Sequence, residues 1–240
     1  FRRVLFRSAE VIVAAGAFNS PQLLQLSGLG PAELLRGHGV PVIADLPSVG
    51  AELSDHYFTR IILRAKEPLS LNDAVRQWHR GAAAAFRYAF GRRGYFAIPA
   101  ISAGCFLRAH PTAATPDIQA SLGLYSVQNI GETLHPFSGV TAVCCLLRPE
   151  SKGFVRIKSA DPREAPAINP NYLASEKDCD TMLHGLRAVR RILQAPAIQH
   201  HIAEEFEPGP ACNSDDELLD YARRRGSKIG KSTRLNSSHV

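Results

Sequence analysis

Residues with the types and spacing for chemistry begin at position 16. Residues 16–30 read GAFNSPQLLQLSGLG: a glycine, an Asn-Ser-Pro, an apolar-rich turn and a Ser-Gly-Leu-Gly in unbroken succession. Upstream, residues 10–15 read EVIVAA, a β-branched apolar run that predicts a short buried strand. Ser20 then predicts a helix N-cap, with Pro21 at the first helical position. A strand that ends at Gly16 and feeds such a helix leaves backbone N–H groups unpaired at its carboxyl end. In open α/β sheets ligands sit there, and a helix N-terminus favours an anionic or strongly polar group. Gly16 would let the ligand approach the backbone closely. The same residues also fit a plain tight turn before a capped helix, with no ligand at all.

The rest of the chain offers little competing chemistry. A GxSxG nucleophile elbow is absent, and so is a P-loop. Nothing orders the Ser, His and Asp residues into a triad. Cys105, Cys144, Cys145, Cys179 and Cys212 show no CxxC and no Cys/His ligand spacing, so no metal site is expected. Their odd number, and the pair Cys144–Cys145 inside an apolar run, fit a reducing, cytoplasmic setting. His184 reads as a solvated residue on the polar side of a long helix. His200 and His201 read as surface residues after Pro196, and His79, beside Trp78 and between Arg76 and Arg80, as solvated or capping. Arg223, Arg224 and Arg225 could bind phosphate, but at a helix end they also complement the helix dipole.

Elements that would position these groups follow from pattern. Residues 40–44, 61–63, 98–107, 117–124 and 140–147 read as strands, and residues 153–158 as a half-exposed antiparallel strand. Residues 31–39 read as a short helix and residues 72–90 as a longer one. Residues 175–195 give the clearest helix: Ser175 caps it, acids come early, arginines late, and Met182, Leu186, Val189, Ile192 and Leu193 share one side. Residues 214–225 give another helix. A strand–turn–helix unit is followed by mixed elements of antiparallel character, which predicts an α/β piece joined to an α+β domain.

Composition narrows the function. The chain has 240 residues, 45% hydrophobic and 21% charged, as in an ordinary globular protein. No run approaches the roughly 18 apolar residues that span a bilayer. The net charge of +6 comes from the ends: residues 1–8 carry Arg2, Arg3 and Arg7, residues 227–240 carry Lys228, Lys231 and Arg234, and neither stretch holds an acid. The body is neutral, which argues against a nucleic-acid partner.

The full string GAFNSPQLLQLSGLG resembles a signature of the glucose–methanol–choline (GMC) family of flavin-dependent oxidoreductases. VPVIADLPSVGAELSDH, residues 40–56, is similar to that family's loop ending in Asp-His. PLSLND, residues 68–73, is similar to the start of its substrate domain, and residues 146–173 to its antiparallel segment. The resemblance covers residues 9–226 and is closest to the bacterial choline-dehydrogenase-like branch. It implies part of a Rossmann-like FAD-binding domain (residues 9–64), a substrate domain built on an antiparallel sheet flanked by helices (65–205), and a segment returning to the FAD domain (206–227). It implies FAD as cofactor and an alcohol as substrate. Hydride would pass to the flavin N5 while a histidine base takes the hydroxyl proton. By the same resemblance Ala15, Gly16, Ala17, Asn19, Ser20 and Pro21 contact the FAD, with Asp55 and His56 near the domain boundary. The electron acceptor, oxygen or a quinone-type carrier, stays open.

Two family motifs are not in this sequence: the GxGxxG diphosphate fingerprint and the His-Pro-x-Gly that carries the catalytic base. FRRVLFRS is a translation of TTCAGACGTGTGCTCTTCCGATCT, which resembles a sequencing-library adapter, and KSTRLNSSH is a translation of AAGAGCACACGTCTGAACTCCAGTCAC, which resembles the complementary adapter, though one extra base is needed to place the preceding KIG in frame. Residues 1–8 and 228–240 are therefore expected to be foreign, and the gene to continue beyond both. The chain is expected to be an inactive fragment of an alcohol-oxidising flavoenzyme. The alternative is a non-catalytic binding or scaffold domain that keeps the fold. A stop codon directly after Arg225 would favour that alternative, and continuation into His-Pro-x-Gly would exclude it.

Overall fold

A computed structural model describes residues 10–128 and 133–228. In chain order they form α1 (Gly16–Leu26), β1 (Leu29–Gly30), α2 (Ala32–Gly37), β2 (Ala44–Asp45), β3 (Tyr57–Ala65), α3 (Leu71–Arg76), α4 (Trp78–Gly91), a 3₁₀ turn (Tyr95–Ala97), β4 (Ala103–Leu107), β5 (Ile118–Gly123), β6 (Gly139–Leu146), β7 (Phe154–Arg156), β8 (Ala167–Asn169), α5 (Glu176–Leu193), α6 (Pro196–Gln199), β9 (Ile202–Glu207), α7 (Asp215–Arg225) and β10 (Ser227–Lys228). They make two compact units. One comprises residues 10–55 and 151–172, the other residues 56–128, 133–150 and 173–228.

In the first unit, α1 starts five residues earlier than the Ser-Pro signal predicts, at Gly16 rather than Pro21. Gly16 turns the chain with φ 84°, a conformation L side chains avoid, and the helix runs straight through Pro21. Pro21, one and a half turns in, gives up its own bond back to Ala17 and crowds that carbonyl, a cost the first turns of the helix bear. Gly28, at φ 83°, ends the turn after Ser27. The strand predicted at residues 10–15 does not form. Residues 10–14 are irregular, with Val11 80% and Ile12 83% exposed. An apolar run becomes a buried strand only when a neighbour pairs with it, and among the described residues none does. The strand predicted at 40–44 shrinks to β2, which pairs in parallel with β1. Asp45 Oδ1 accepts the Ala32 N–H at 2.9 Å and so caps α2. Leu35, Val40 and Ile157 form a small core with Leu26, Leu34 and Val42 against it.

Residues 151–172 belong to this unit, so the stretch 65–205 read as one piece from sequence is interrupted. The reason is Gln25. Its amide, fully buried, donates from Nε2 to the carbonyls of Val49 (3.1 Å) and Val155 (3.0 Å), and its Oε1 accepts the Ile157 N–H at 2.9 Å. One side chain of α1 thus ties the β7–β8 hairpin and the 49–50 turn into one body. Gly50 sits at φ 80°, and a Cβ there would collide with the Val155 carbonyl and Gln25 Nε2.

The second unit is built on a sheet ordered β10-β3-β6-β5-β4, every pair antiparallel. This is the antiparallel sheet flanked by helices that the sequence predicts. β9 also pairs with β3, along Ile62–Ala65, while β10 takes the Tyr57–Phe58 end. β9 was not predicted, because half of its IAEEFE is acidic and it shows no apolar run. α5 lies on β5 and β6. A Cβ on Gly185 would come within 2.7 Å of Cys144 Sγ and Ile118 Cδ1, so only glycine allows the helix this close. Ile61, Ile62, Ile118, Met182, Leu186 and Leu218 are fully buried there. α7 docks through its tyrosine neighbours: Tyr57 Oη donates to Ala222 O at 2.8 Å, and Tyr221 Oη to Arg60 O at 2.7 Å. The helix predicted at 72–90 is split in two at Gln77, whose extended ψ of 102° breaks the ladder.

Candidate functional site

In the first unit Gly16, Ala17, Ser20 and Pro21 line a cavity of about 600 Å³. The opposite wall is the turn at residues 48–54, which carries two left-handed residues, Gly50 and Glu52. The volume falls in the ordinary range for small-molecule sites. Small residues (Gly16, Ala17, Ser20, Gly50, Ala51) share the walls with Val13, Leu24, Leu53 and Val155, a largely apolar lining that lets a ligand come close to the main chain at the two glycines. Ser20 does not cap a helix starting at Pro21. Its Oγ accepts the Ala15 N–H at 3.0 Å and closes the turn. Asn19 is exposed on the far side of that turn, and neither it nor Ala15 reaches the cavity wall. Among the described residues the wall holds no histidine and one carboxylate, Glu52. Gln25, Gly50 and the facing of the 48–54 turn onto the cavity were missed from sequence. Gln25 carried one signal: a polar residue among Leu23, Leu24 and Leu26.

Asp55 accepts a hydrogen bond from Tyr172 Oη at 2.7 Å within the same unit. His56, half-buried, begins the other unit.

The second unit holds a buried polar network that sequence reading also missed. Asn72 Nδ2 donates to the carbonyls of Ser126 (2.9 Å) and His135 (3.0 Å), and its Oδ1 accepts the Ser126 N–H at 2.9 Å. His135 Nδ1 lies 3.1 Å from Ser126 Oγ, and its ring stacks on Phe137 at 4.9 Å. Burial pushes the His135 pKa down, with the Glu207 carboxylate opposing and the Arg60 and Arg225 guanidinium groups reinforcing. Its neutral form is therefore favoured. Arg225 forks onto Glu207, which raises its pKa, and Arg224 pairs with Asp220, so these two arginines are engaged by carboxylates. His200 Nδ1 is tied to Pro196 O, and His184 is half-buried against Asp180.

The described residues thus form two units, one with a cavity behind a glycine turn and one built on an antiparallel sheet with helices packed on it. The chain belongs to the GMC oxidoreductase family: family models of that description match residues 2–58 and residues 149–232, together more than half of the chain. It is 36% identical over 222 residues to an alcohol dehydrogenase [acceptor] of Pseudomonas putida, covering 92% of this chain and 40% of that protein. It is 37% identical over 214 residues to an oxygen-dependent choline dehydrogenase of Klebsiella pneumoniae, covering 89% of this chain and 38% of the relative. Among solved structures it is similar to formate oxidase of Aspergillus oryzae, with 25% identity, a TM-score of 0.81, and coverage of 93% of this chain and 44% of that one. The chain thus spans about two fifths of the length of the curated relatives it matches. Among the described residues no helix is long and apolar enough to cross a membrane.

Proposed function

We propose that this chain is part of an FAD-dependent dehydrogenase or oxidase acting on the CH–OH group of an alcohol, of the choline-dehydrogenase-like kind. The observation that carries it is the cavity walled by Gly16, Ala17, Ser20 and Pro21. Its wall fits a flat ring system: Gly16 at φ 84° has no side chain to stand in the way, and Ala17 and Pro21 are small. When bound, FAD would supply the hydride acceptor. This chain's residues would supply shape and exclusion of water, with the Ser20–Ala15 bond holding the turn in place. Ala15 and Asn19 are assigned to the same contact through the turn they share. Residues 10–55 and 151–172 form the flavin side in this reading, and residues 56–150 and 173–227 the substrate side. The acceptor is oxygen or a quinone-type carrier, and the setting cytoplasmic, in keeping with the odd cysteine count.

This sequence contains neither a GxGxxG nor a His-Pro-x-Gly, so in this reading the 240-residue chain on its own is expected to hold little flavin and turn over no alcohol. The test is flavin absorbance of the purified chain together with alcohol-dependent reduction in the parent polypeptide. Far less than one flavin per chain, with alcohol-reducible flavin in the parent that Gly16→Val abolishes, supports the proposal. Near-equimolar flavin in the isolated chain, or a parent whose flavin ignores alcohols, overturns it. The scaffold reading has no observation of its own in the structure.

A further inference from the structure

We propose that His110, Asp180 and His184 form a binding site for a divalent transition-metal ion of the zinc type. Nothing in the flavin reading requires these residues, and the inference does not depend on it. Asp180 and His184 stand one turn apart on α5, the i, i+4 spacing that brings two side chains together on a helix face. His110 arrives from a turn 70 residues earlier. Ala109 N–H donates to Asp117 Oδ1 at 2.7 Å and Ala113 N–H to His110 O at 3.1 Å, so that turn is held by its own bonds.

One ligand atom from each residue falls within 4.8 Å of the others. His110 Nε2 lies 2.6 Å from Asp180 Oδ2, His184 Nδ1 lies 3.2 Å from Asp180 Oδ1, and the two rings are 4.0 Å apart. Ligands of a tetrahedral zinc ion at about 2.0–2.1 Å sit roughly 3.3 Å from one another. Small side-chain rotations, which give up the 3.0 Å contact of His184 Nδ1 with the Asp180 carbonyl, would therefore seat an ion among the three groups. Two imidazoles and one carboxylate, with a water completing the shell, are a donor set suited to zinc, cobalt or nickel rather than magnesium or calcium. All three side chains are between a third and just over half exposed, which leaves an entry path. The cations nearest on α5 are already neutralised, Lys177 by Glu150 and Arg187 by Asp215, so they oppose an incoming dication weakly. The ion would clip the 108–114 turn to α5. Sequence spacing could not reveal it, because one ligand is far from the other two along the chain.

The test is a Co²⁺ titration of the untagged chain, followed by visible d–d absorption and competed with Zn²⁺, with equilibrium dialysis for stoichiometry. The expected result is one ion per chain. His110→Gln and His184→Gln should each weaken binding at least about ten-fold, since even outer groups around a metal cost that much. His201→Gln should leave it unchanged, and circular dichroism confirms that each variant is folded. The proposal is overturned if the wild-type chain gives no saturable cobalt spectrum, if the spectrum persists unaltered in both histidine variants, or if His201→Gln abolishes it.

Discussion

Replacing Gln25 should unfold the first unit more readily than any other single polar change in it. Gln25→Leu keeps the size of the side chain and removes all three hydrogen bonds. It leaves the Val155 carbonyl and the Ile157 N–H buried without that partner, and the Val49 carbonyl partly so. An orphaned buried group costs about 1–3 kcal/mol, so the two fully buried ones put the loss at about 2–6 kcal/mol. That is a large share of the roughly 5–15 kcal/mol by which ordinary domains are stable. Gln25→Glu is the sharper probe. It retains an acceptor for Ile157 N–H but points a second oxygen at two carbonyls, which disfavours the carboxylate and raises its folded pKa above the unfolded value. The variant therefore gains stability relative to wild type as pH falls, because the protonated acid can donate to one carbonyl. The assay is urea denaturation, read by circular dichroism and limited proteolysis, at neutral and mildly acidic pH. A loss below about 1 kcal/mol for Gln25→Leu, or a pH-independent gap for Gln25→Glu, refutes the reasoning.

Gly50→Ala should cost at least about 1–2 kcal/mol from its left-handed backbone alone, before the collision with Val155 and Gln25 is counted, and thermal denaturation reads it. Gly185→Ala should cost about 1–3 kcal/mol by pushing α5 off Cys144 and Ile118, with Gly37→Ala, in open space, as a neutral comparison. Tyr57→Phe should cost no more than about 1 kcal/mol, because the Ala222 carbonyl keeps the Gly226 N–H at 2.8 Å. Glu217 and His135 both contribute to the acid limb of stability. The backbone N–H groups of Ser214 and Asn213 and the Ser214 hydroxyl hold the Glu217 carboxyl below its ordinary value, so its contribution is present above the unfolded pKa and lost as pH falls through the folded one. His135 has its pKa pushed down mainly by burial, which favours its neutral form, so stability falls as pH drops below the ordinary histidine value of about 6.5. Glu217→Gln and His135→Gln should each flatten the corresponding part of a plot of melting temperature against pH.

What could be read from sequence was what residues decide with near neighbours. α5 and α7 announced themselves through caps, charge order and apolar spacing, and Ser214–Glu217 forms the reciprocal cap. β3 and β6 stood out through apolar runs and β5 as a strand candidate, and the three form the middle of the sheet. What escaped depended on distant partners. The apolar run at residues 10–15 promised a strand and has no neighbour to pair with. β9 is acidic and exists because β3 offers it an edge. In the candidate cavity, the glycine turn was legible from GAFNSP. The 40–56 loop was read too, but not that its 48–54 turn faces the cavity or that Gln25 clamps it, since those bonds join residues up to 132 apart.

That clamp has a consequence in time. Gln25 emerges during synthesis well before Val155, 130 residues later, which at 5–20 residues per second is a wait of about 6–26 s. For that interval α1 has a polar group without its eventual partners and a leucine-rich flank without its cover. Everything needed for the first unit is present only once the β7–β8 hairpin has been made. The chain must hold its opening segment unspent while the whole run up to β6 is translated, and a chaperone that shields residues 10–40 would act on that pause rather than on the finished fold.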